Sequence, residues 1–318
     1  MQLPEMLRPP LEALAQQYGA AACADAARQL SLRYRSENGS GKRLATTAIE
    51  TAAYALTRMP ATFCAVYSAL RWTLECVPCH PESLLDVGAG TGAAAFAAEE
   101  LLSLQQITLL EREPEMRRTG QFLMRETPLC SAGWQEGDVL EPFPVKAGLV
   151  TASYLLNELR EEALSAALQR LWEAAEEMLL ILEPGTPAGY AVIRRAHEEL
   201  LKQGAFIAAP CPHMGACPLS QEDWCHFTCR VERSRLHKQL KGGDVPYEDE
   251  KFCYLALVKS PPQPAPARIL RHPYIEPGRV SLRLCTPEGL AEPVIRKRDG
   301  ALFKSARKAD CGDGFPFP

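Results

Sequence analysis

The stretch LLDVGAGTG (residues 84–92), which runs directly into the alanine-rich AAAFAAEELL, constrains this chain more than any other segment. A β-rich run that ends in glycines at alternate positions and passes straight into a helix is a strand–turn–helix unit. Its glycines let the backbone approach a ligand closely, and the helix N-terminus offers unpaired N–H groups to that ligand. The next β-rich run, ITLLERE, places Glu111 about 20 residues beyond the turn, where a carboxylate can accept both hydroxyls of a ribose. A third segment brings Gly137 and Asp138, suited to an adenine amino group.

The surroundings extend the same pattern. SLLDVGAG, ITLLERE, AGLVTASYL and MLLILEPG are the expected strands between residues 83 and 190, and helical stretches separate them. Such alternation predicts a parallel, doubly wound sheet. Residues 1–80 read as helices, interrupted at SENGSGK and broken or kinked at Pro60. Residues 205–250 lose periodicity and gather Cys, His, Pro and Gly, so they are expected to form an insertion outside the core. EKFCYLALVKS reads as a strand returning to the sheet, and SPPQPAPA (260–267) as a stiff linker. From Arg268 onward the chain is short-strand and turn material. The expected organisation is a helical region over 1–80, a central domain over 81–260 and a basic, β-rich extension over 261–318.

The pattern D-x-G-x-G-x-G, an acid at the tip of the second strand and an Asp after the third resembles class I S-adenosylmethionine-dependent methyltransferases. Glycines at 88, 90 and 92 differ from the dinucleotide fingerprint G-x-G-x-x-G. The resemblance implies an α/β, Rossmann-like fold with S-adenosylmethionine held by Asp86, Gly88, Gly90, Gly92, Glu111 and Asp138. A sheet that kept the turn without binding a cofactor would read the same way. The loop after the fourth strand is SYLLNEL (153–159). Amino-group methyltransferases place an Asp/Asn/Ser-Pro-Pro-aromatic loop there, and this chain has none. Carbon-5 pyrimidine methylation needs a cysteine nucleophile, which neither this loop nor Glu183-Pro184-Gly185 supplies. Asn157 and Glu158 are candidates to line the pocket, with a helix cap and a solvated carboxylate as the plainer readings. No catalytic residue is identified.

Four cysteines form the second motif: Cys211, Cys217 and Cys225, spaced C-x5-C-x7-C, and Cys285, 59 intervening residues later. Four thiolates suit tetrahedral zinc or an iron–sulfur cluster. The spacing is looser than the C-x2-C knuckles of zinc ribbons and is not the CxxxCxxC of radical-type enzymes. Spacing leaves zinc and iron–sulfur equally open. Cys229 and Cys253 compete as ligands and His213 and His226 could substitute, although Cys253 lies in a strand and reads as a buried structural thiol. The pair Cys76-Val-Pro-Cys79 reads as incidental.

Composition narrows the setting. The chain has 318 residues, 47% of them hydrophobic, enough for a core without disulfides, and no run suits a membrane span. Glu5 and Glu12 in the first twenty residues speak against a secretory signal or a transit peptide, so the expectation is a bacterial-type cytoplasmic protein with its twelve cysteines reduced. Residues 230–310 hold 17 Lys and Arg against 10 Asp and Glu, on a chain whose net charge is −4. A basic C-terminal third on an acidic body points to a polyanionic partner for that third. Arg230, Arg233, Arg235, Lys238 and Lys241 directly follow the cysteines and are the candidate RNA contacts, with a solvated basic helix face as the alternative.

At this point a specific resemblance appears. RMPAT (58–62), LLDVGAGTG, YLLNEL, EPGTP (183–187), CPHMGACPL, DWCHF (223–227), YEDEKF (247–252) and LCT (284–286) resemble the mitochondrial small-ribosomal-subunit methyltransferase-like assembly factors and their bacterial homologues, over roughly residues 50–312. The resemblance implies a [4Fe–4S] cluster on Cys211, Cys217, Cys225 and Cys285, and association with the small ribosomal subunit or its rRNA. On this view the cluster pins the cysteine-rich segment to the tail. The chain departs from the family at Cys311-Gly312-Asp313, where an aromatic residue would precede Gly-Asp, which makes Cys311 an outside candidate ligand. The expected function is a subunit-associated protein, monomeric when free, that binds S-adenosylmethionine and a cluster and acts in small-subunit maturation and translation. The alternatives are an active rRNA methyltransferase and, more remotely, a small-molecule methyltransferase with structural zinc.

Overall fold

A computed structural model describes residues 1–36, 45–220 and 222–317. The interruption expected at SENGSGK falls, past Ser36, outside the described residues. The N-terminal region is helical: α1 (Arg8–Tyr18), α2 (Ala20–Ser36), α3 (Ala48–Thr57) and α4 (Met59–Leu74). Gly19, at φ 80°, separates the first pair. The stretch breaks at the expected place, between Thr57 and Met59, and Pro60 sits in the first turn of α4, where its missing N–H costs nothing. Thr47 and Glu50 close a capping box at the start of α3.

The central sheet contains β1 (Ser83–Val87), β2 (Gln106–Leu110), β3 (Gly133–Gln135), β4 (Ala147–Ser153), β5 (Ala175–Pro184), β6 (Phe206–Ala209), β7 (Phe227–Glu232) and β8 (Tyr247–Val258). Its order is β3-β2-β1-β4-β5-β8-β6, with β7 also paired to β8. The first five strands are parallel and β8 runs antiparallel to β5. The four strands expected between 83 and 190 are β1, β2, β4 and β5. Crossover helices α5 (Ala93–Glu99), α6 (Pro114–Met124), α7 (Glu161–Ala174) and α8 (Pro187–Leu201) complete the doubly wound unit. The strand order reverses between β1 and β4, so a crevice opens at their carboxyl ends.

Residues 205–250 are not wholly outside the core, contrary to the sequence expectation. Phe206, Ile207 and Ala209 pair with the C-terminal half of β8, and Phe227 to Glu232 pair with its N-terminal half. Two short strands thus share one edge of β8, and residues 210–226 loop out between them. β6 has only four residues, too few to show a period, whereas β7 (FTCRVE) does alternate buried and less buried positions, a period of two too short to stand out beside the Cys-, His- and Pro-rich segment before it. Helix α9 (Arg235–Lys241) joins β7 to β8.

Beyond the linker the chain forms β9 (Ala267–Ile269), β10 (Tyr274–Glu276), β11 (Arg279–Ser281), β12 (Leu284–Thr286), β13 (Gly289–Ala291), β14 (Val294–Arg296), α10 (Ala301–Ala306) and β15 (Gly314–Phe315). These make two small sheets, β10-β11-β14 and β13-β12-β9-β15. Val280, Ile295, Phe303 and Phe315 belong to their shared core.

Trp72 joins the three regions. Its ring packs at 5.7 Å from Phe227, 6.1 Å from Phe252 and 5.9 Å from Tyr254, and its Nε1 donates to Asp313 at 3.2 Å. A Cβ on Gly312 would come within 2.1 Å of the same ring, which is why no side chain precedes Asp313. Trp72→Ala is expected to cost about 3–5 kcal/mol of unfolding free energy. Urea unfolding measures it; a loss below about 1 kcal/mol would mean that the tail and sheet are held by other contacts.

Candidate functional sites

Two cavities collect the residues singled out by sequence. The first lies at the carboxyl ends of β1, β2 and β4 and is lined by Gly88, Gly90, Glu111, Asp138, Ser153, Tyr154 and Glu158, among others, with Tyr34 and Tyr54 of the N-terminal helices over it. Gly88 adopts φ 70° and Gly90 φ 56°, which only glycine takes easily. Asp86 and Gly92 lie behind this lining. Asp86 is buried beneath the turn, where its Oδ1 accepts from the Thr151 hydroxyl at 2.7 Å and its Oδ2 has no partner. Gly92 serves packing, since a Cβ there would meet the Met124 Cε at 2.3 Å.

The pocket is closed in on itself. Glu111 accepts from the backbone N–H of Gly90 and of Glu113, both at 2.8 Å, with the atoms a ribose would use. Arg112 lies 3.5 Å from Glu113, 3.6 Å from Asp138 and 4.0 Å from Glu158, bridging three acids across the mouth. The cavity measures about 80 Å³, well under the roughly 300–1,000 Å³ of a ligand pocket. Chemically the set suits a nucleoside; sterically, Arg112 and the tyrosines must shift to admit one. Burial pushes both Asp86 and Glu158 up to about 7. Glu183, buried and raised well above the carboxylate range by desolvation, accepts from the N–H of Leu156 at 2.8 Å and Asn157 at 3.3 Å. It thereby holds the loop after β4, where Tyr154 carries φ 58°. Glu158 therefore lines the pocket. Arg112, Tyr34 and Tyr54 were not legible as pocket residues along the chain, where the one hint is a lone arginine inside the acidic run ERE.

The second cavity, about 90 Å³, is lined by Cys211, Cys217, Cys225, Cys253 and Cys285, by the polar side chains of Tyr190, Arg194, His197, Glu198 and Arg268, and by apolar side chains. The structure brings together all four cysteines expected to act as ligands, three from the 210–226 loop and one from β12. Cys253 also lines it, but its thiol donates to the Cys225 carbonyl at 3.0 Å. Cys229, Cys311 and His226 lie outside this lining: Cys311 donates to the Leu270 carbonyl at 3.5 Å, and the His226 Nδ1 lies 3.1 Å from the Trp224 carbonyl. The His213 Nε2 lies 3.5 Å from the Cys285 Sγ, and Tyr190 donates to the Cys217 Sγ at 2.9 Å. Burial pushes Cys285 up to about 12 and Cys225 well above the usual thiol range. Among the described residues, no three His, Cys, Asp or Glu side chains form a group that could hold a metal ion as they stand.

Arg268 is the residue in this wall that sequence reasoning missed. It is 1% exposed and donates to the carbonyls of Pro210 and Gly312 at 3.1 and 2.9 Å, with the Cys76 Sγ at 3.6 Å. Among the described residues no carboxylate pairs with it, and an arginine within the apolar run ARIL was the available signal. The expectation that a metal alone pins loop to tail needs correction. Asp223 pairs with both Arg271 and Arg283 at 2.7 Å, Arg268 reaches the Pro210 carbonyl, and Trp224 donates to the Gly185 carbonyl at 3.0 Å. These contacts join loop, sheet and extension through protein groups alone.

The five basic candidates fare differently. Arg230 pairs with Asp249 at 2.9 Å and lies over the Tyr247 ring, while Arg233 and Lys241 both pair with Glu248 at 2.7 Å. Arg235 is exposed and Lys238 partly so, and both keep their charge available.

The parallel sheet with its antiparallel β8, the glycine turn at the switch point and the flanking helices define a class I methyltransferase fold. A family profile described as the mitochondrial small ribosomal subunit Rsm22 matches residues 48–316, and the chain belongs to that family. It is 26% identical over 259 residues to human "Ribosome assembly protein METTL17, mitochondrial", covering 74% of this chain and 56% of that one. It is 25% identical over 321 residues to the Schizosaccharomyces pombe "Rsm22-cox11 tandem protein 2, mitochondrial", covering 83% and 43%. The chain thus spans about half the length of these relatives. Among solved structures, the magnesium protoporphyrin IX methyltransferase of Synechocystis PCC 6803 aligns over 79% of this chain and 97% of that one at 15% identity and a TM-score of 0.41.

The expectation of a bacterial-type cytoplasmic protein is overturned by these matches, since the family and both named relatives are described as mitochondrial. Two acidic residues near the start were too little to decide a compartment. No described helix is long and apolar enough to cross a membrane.

Asp86 gives a pH test. Its folded-state value of about 7 exceeds the unfolded carboxyl's, so between about pH 4 and 7 the native state binds the extra proton. Its contribution to stability therefore falls as pH rises through that window. Asp86→Asn, which keeps the acceptor for Thr151, should narrow the difference in melting temperature between pH 5 and pH 8; an unchanged difference would show that Asp86 is ionised throughout.

Proposed function

We propose that this chain acts in maturation of the small ribosomal subunit, as a methyltransferase-fold scaffold that binds S-adenosylmethionine in the first cavity, a [4Fe–4S] cluster in the second, and rRNA through its basic extension. The observation that carries the cluster reading is the gathering of four thiols, far apart in sequence, around one cavity beside Arg268, a buried cation that no carboxylate pairs with among the described residues. A buried guanidinium favours an anionic neighbour. A cluster held by four thiolates supplies that negative charge, whereas the free thiols of Cys225 and Cys285, pushed upward by burial, are neutral. A single tetrahedral zinc draws its four sulfurs to about 2.3 Å from one centre. Cys211, Cys217, Cys225 and Cys285 would hold the cluster, and Tyr190 would donate a hydrogen bond to the Cys217 sulfur. Its role in this reading is structural.

For S-adenosylmethionine, Glu111 would take the ribose hydroxyls, Asp138 the adenine amino group and Gly88 and Gly90 the close backbone approach. Arg112 must first leave Asp138. A second reading, methyl transfer to rRNA, is supported by Glu158: it lines the pocket beside the left-handed Tyr154 and, at about 7, can hold or release a proton near neutrality.

Protein purified without oxygen should be brown, absorb near 400 nm and carry about four irons per chain, and Cys225→Ser should lose both colour and iron. Colourless wild type with one zinc would overturn the cluster reading. Titration calorimetry with S-adenosylmethionine should give heat with wild type and none with Gly90→Arg. Silence from both would remove the cofactor from the proposal. Mass mapping of small-subunit rRNA from a deletion strain separates the two readings. A missing methyl group restored by wild type but not by Gly90→Arg selects the enzyme, and unchanged modification with defective assembly selects the scaffold.

A further inference from the structure

Resting on the rRNA reading above, we infer that the RNA-binding surface is the rim formed by the end of β14 and by α10, over residues 296–308, and that it grips the RNA phosphate backbone. Six of these thirteen residues, Arg296, Lys297, Arg298, Lys304, Arg307 and Lys308, are basic and one, Asp299, is acidic. All six cations are exposed. Arg298 lies 3.9 Å from Asp299, and among the described residues none of the other five has a carboxylate within ion-pairing distance. Phosphate binding draws its free energy from release of counterions by such uncompensated charges, and charges already neutralised by a carboxylate contribute less.

The cluster that sequence favoured lacks this property. Arg230, Arg233 and Lys241 are committed to Asp249 and Glu248, which leaves Arg235 and Lys238 on α9. The large groove beside α9 mixes Arg8, Arg230, Arg233 and Arg235 with Glu5, Glu12 and Glu232, and Arg8, Arg230 and Arg233 already pair with Glu12, Asp249 and Glu248, so little uncompensated charge remains there.

The rim is also pre-shaped. β14 is the outer strand of its sheet, with one edge unpaired to any strand. Phe303 and Ala306 anchor α10 in the same core as Val280 and Ile295. Lys304 stands on the exposed face of that helix, and Arg307 and Lys308 follow in the turn that ends it. The backbone carrying the charges is therefore ordered before RNA arrives, and little ordering cost opposes binding. Contacts of this kind position a protein on folded RNA without reading bases. An anionic membrane would offer the same phosphate chemistry, and the experiment below separates the two.

Fluorescence anisotropy of a labelled 20-nucleotide RNA hairpin, with the full chain between 50 and 200 mM KCl, tests the assignment. The variant Lys304→Glu/Arg307→Glu/Lys308→Glu should bind at least about tenfold more weakly and lower the slope of log affinity against log salt by about two to three. Arg235→Glu/Lys238→Glu should change affinity by less than about twofold. Unaltered thermal melting will show that the exposed substitutions leave the fold intact. If the triple variant binds like wild type, or the α9 variant takes the loss, the rim is overturned while the rRNA reading stands. A wild type that ignores RNA overturns both. Tighter wild-type binding to phosphatidylserine vesicles than to RNA, lost in the triple variant, would keep the phosphate-binding rim and overturn its assignment to RNA.

Discussion

Strand β8 is the element on which the rest of the molecule depends. On one edge it pairs antiparallel with β5 from Met178 to Pro184. On the other it is shared by β6 and β7, whose pairings stop at Ala256 and resume at Phe252. Backbone groups of 253–255 on that edge thus face a loop in place of a ladder. The loop must pack closely there, because buried amides tolerate no vacancy. Cys211, Cys217 and Cys225 ride on that loop, and the Cys253 thiol, on the open stretch of β8, reaches the Cys225 carbonyl.

The same interruption receives the C-terminal extension. Arg268, opposite Cys285 in the β9–β12 pairing, enters the gap and satisfies the Pro210 carbonyl. Asp223 binds two arginines of the extension. Trp72, from the N-terminal helices, packs on Phe227, Phe252 and Tyr254 at the same place. Three regions distant in sequence therefore converge on a few residues of one strand. A cluster bound there would reinforce an attachment that the protein contacts already make.

The cofactor crevice obeys a different balance. Carboxylates at 86, 111, 113, 138 and 158 crowd the carboxyl ends of three strands. Such a concentration is tolerable because Arg112 bridges three of them, backbone N–H groups satisfy Glu111, and burial raises Asp86 and Glu158 to about 7. The groups that would recognise a nucleoside are the ones that close the pocket without it. Opening therefore exchanges one set of charge contacts for another.

Much of the fold was legible along the chain. The parallel strands β1, β2, β4 and β5, unlike the three-residue edge strand β3, are largely apolar runs, and the glycines of LLDVGAGTG announce a turn that only φ above zero can make, as the angles at Gly88 and Gly90 bear out. These are local properties, written in adjacent residues. The edge strands were not legible, because a strand of four residues draws its stability from its partner and carries no period of its own. Nor could spacing distinguish Arg230, Arg233 and Lys241, whose charges are answered by Asp249 and Glu248, from the cations of 296–308, of which only Arg298 has a carboxylate partner among the described residues. Charge can be counted from sequence, but its neutralisation depends on which strands lie side by side. Arg112 and Arg268 belong to the same class: each looks like an ordinary surface arginine, and only packing reveals one as a bridge among acids and the other as a buried cation facing thiols.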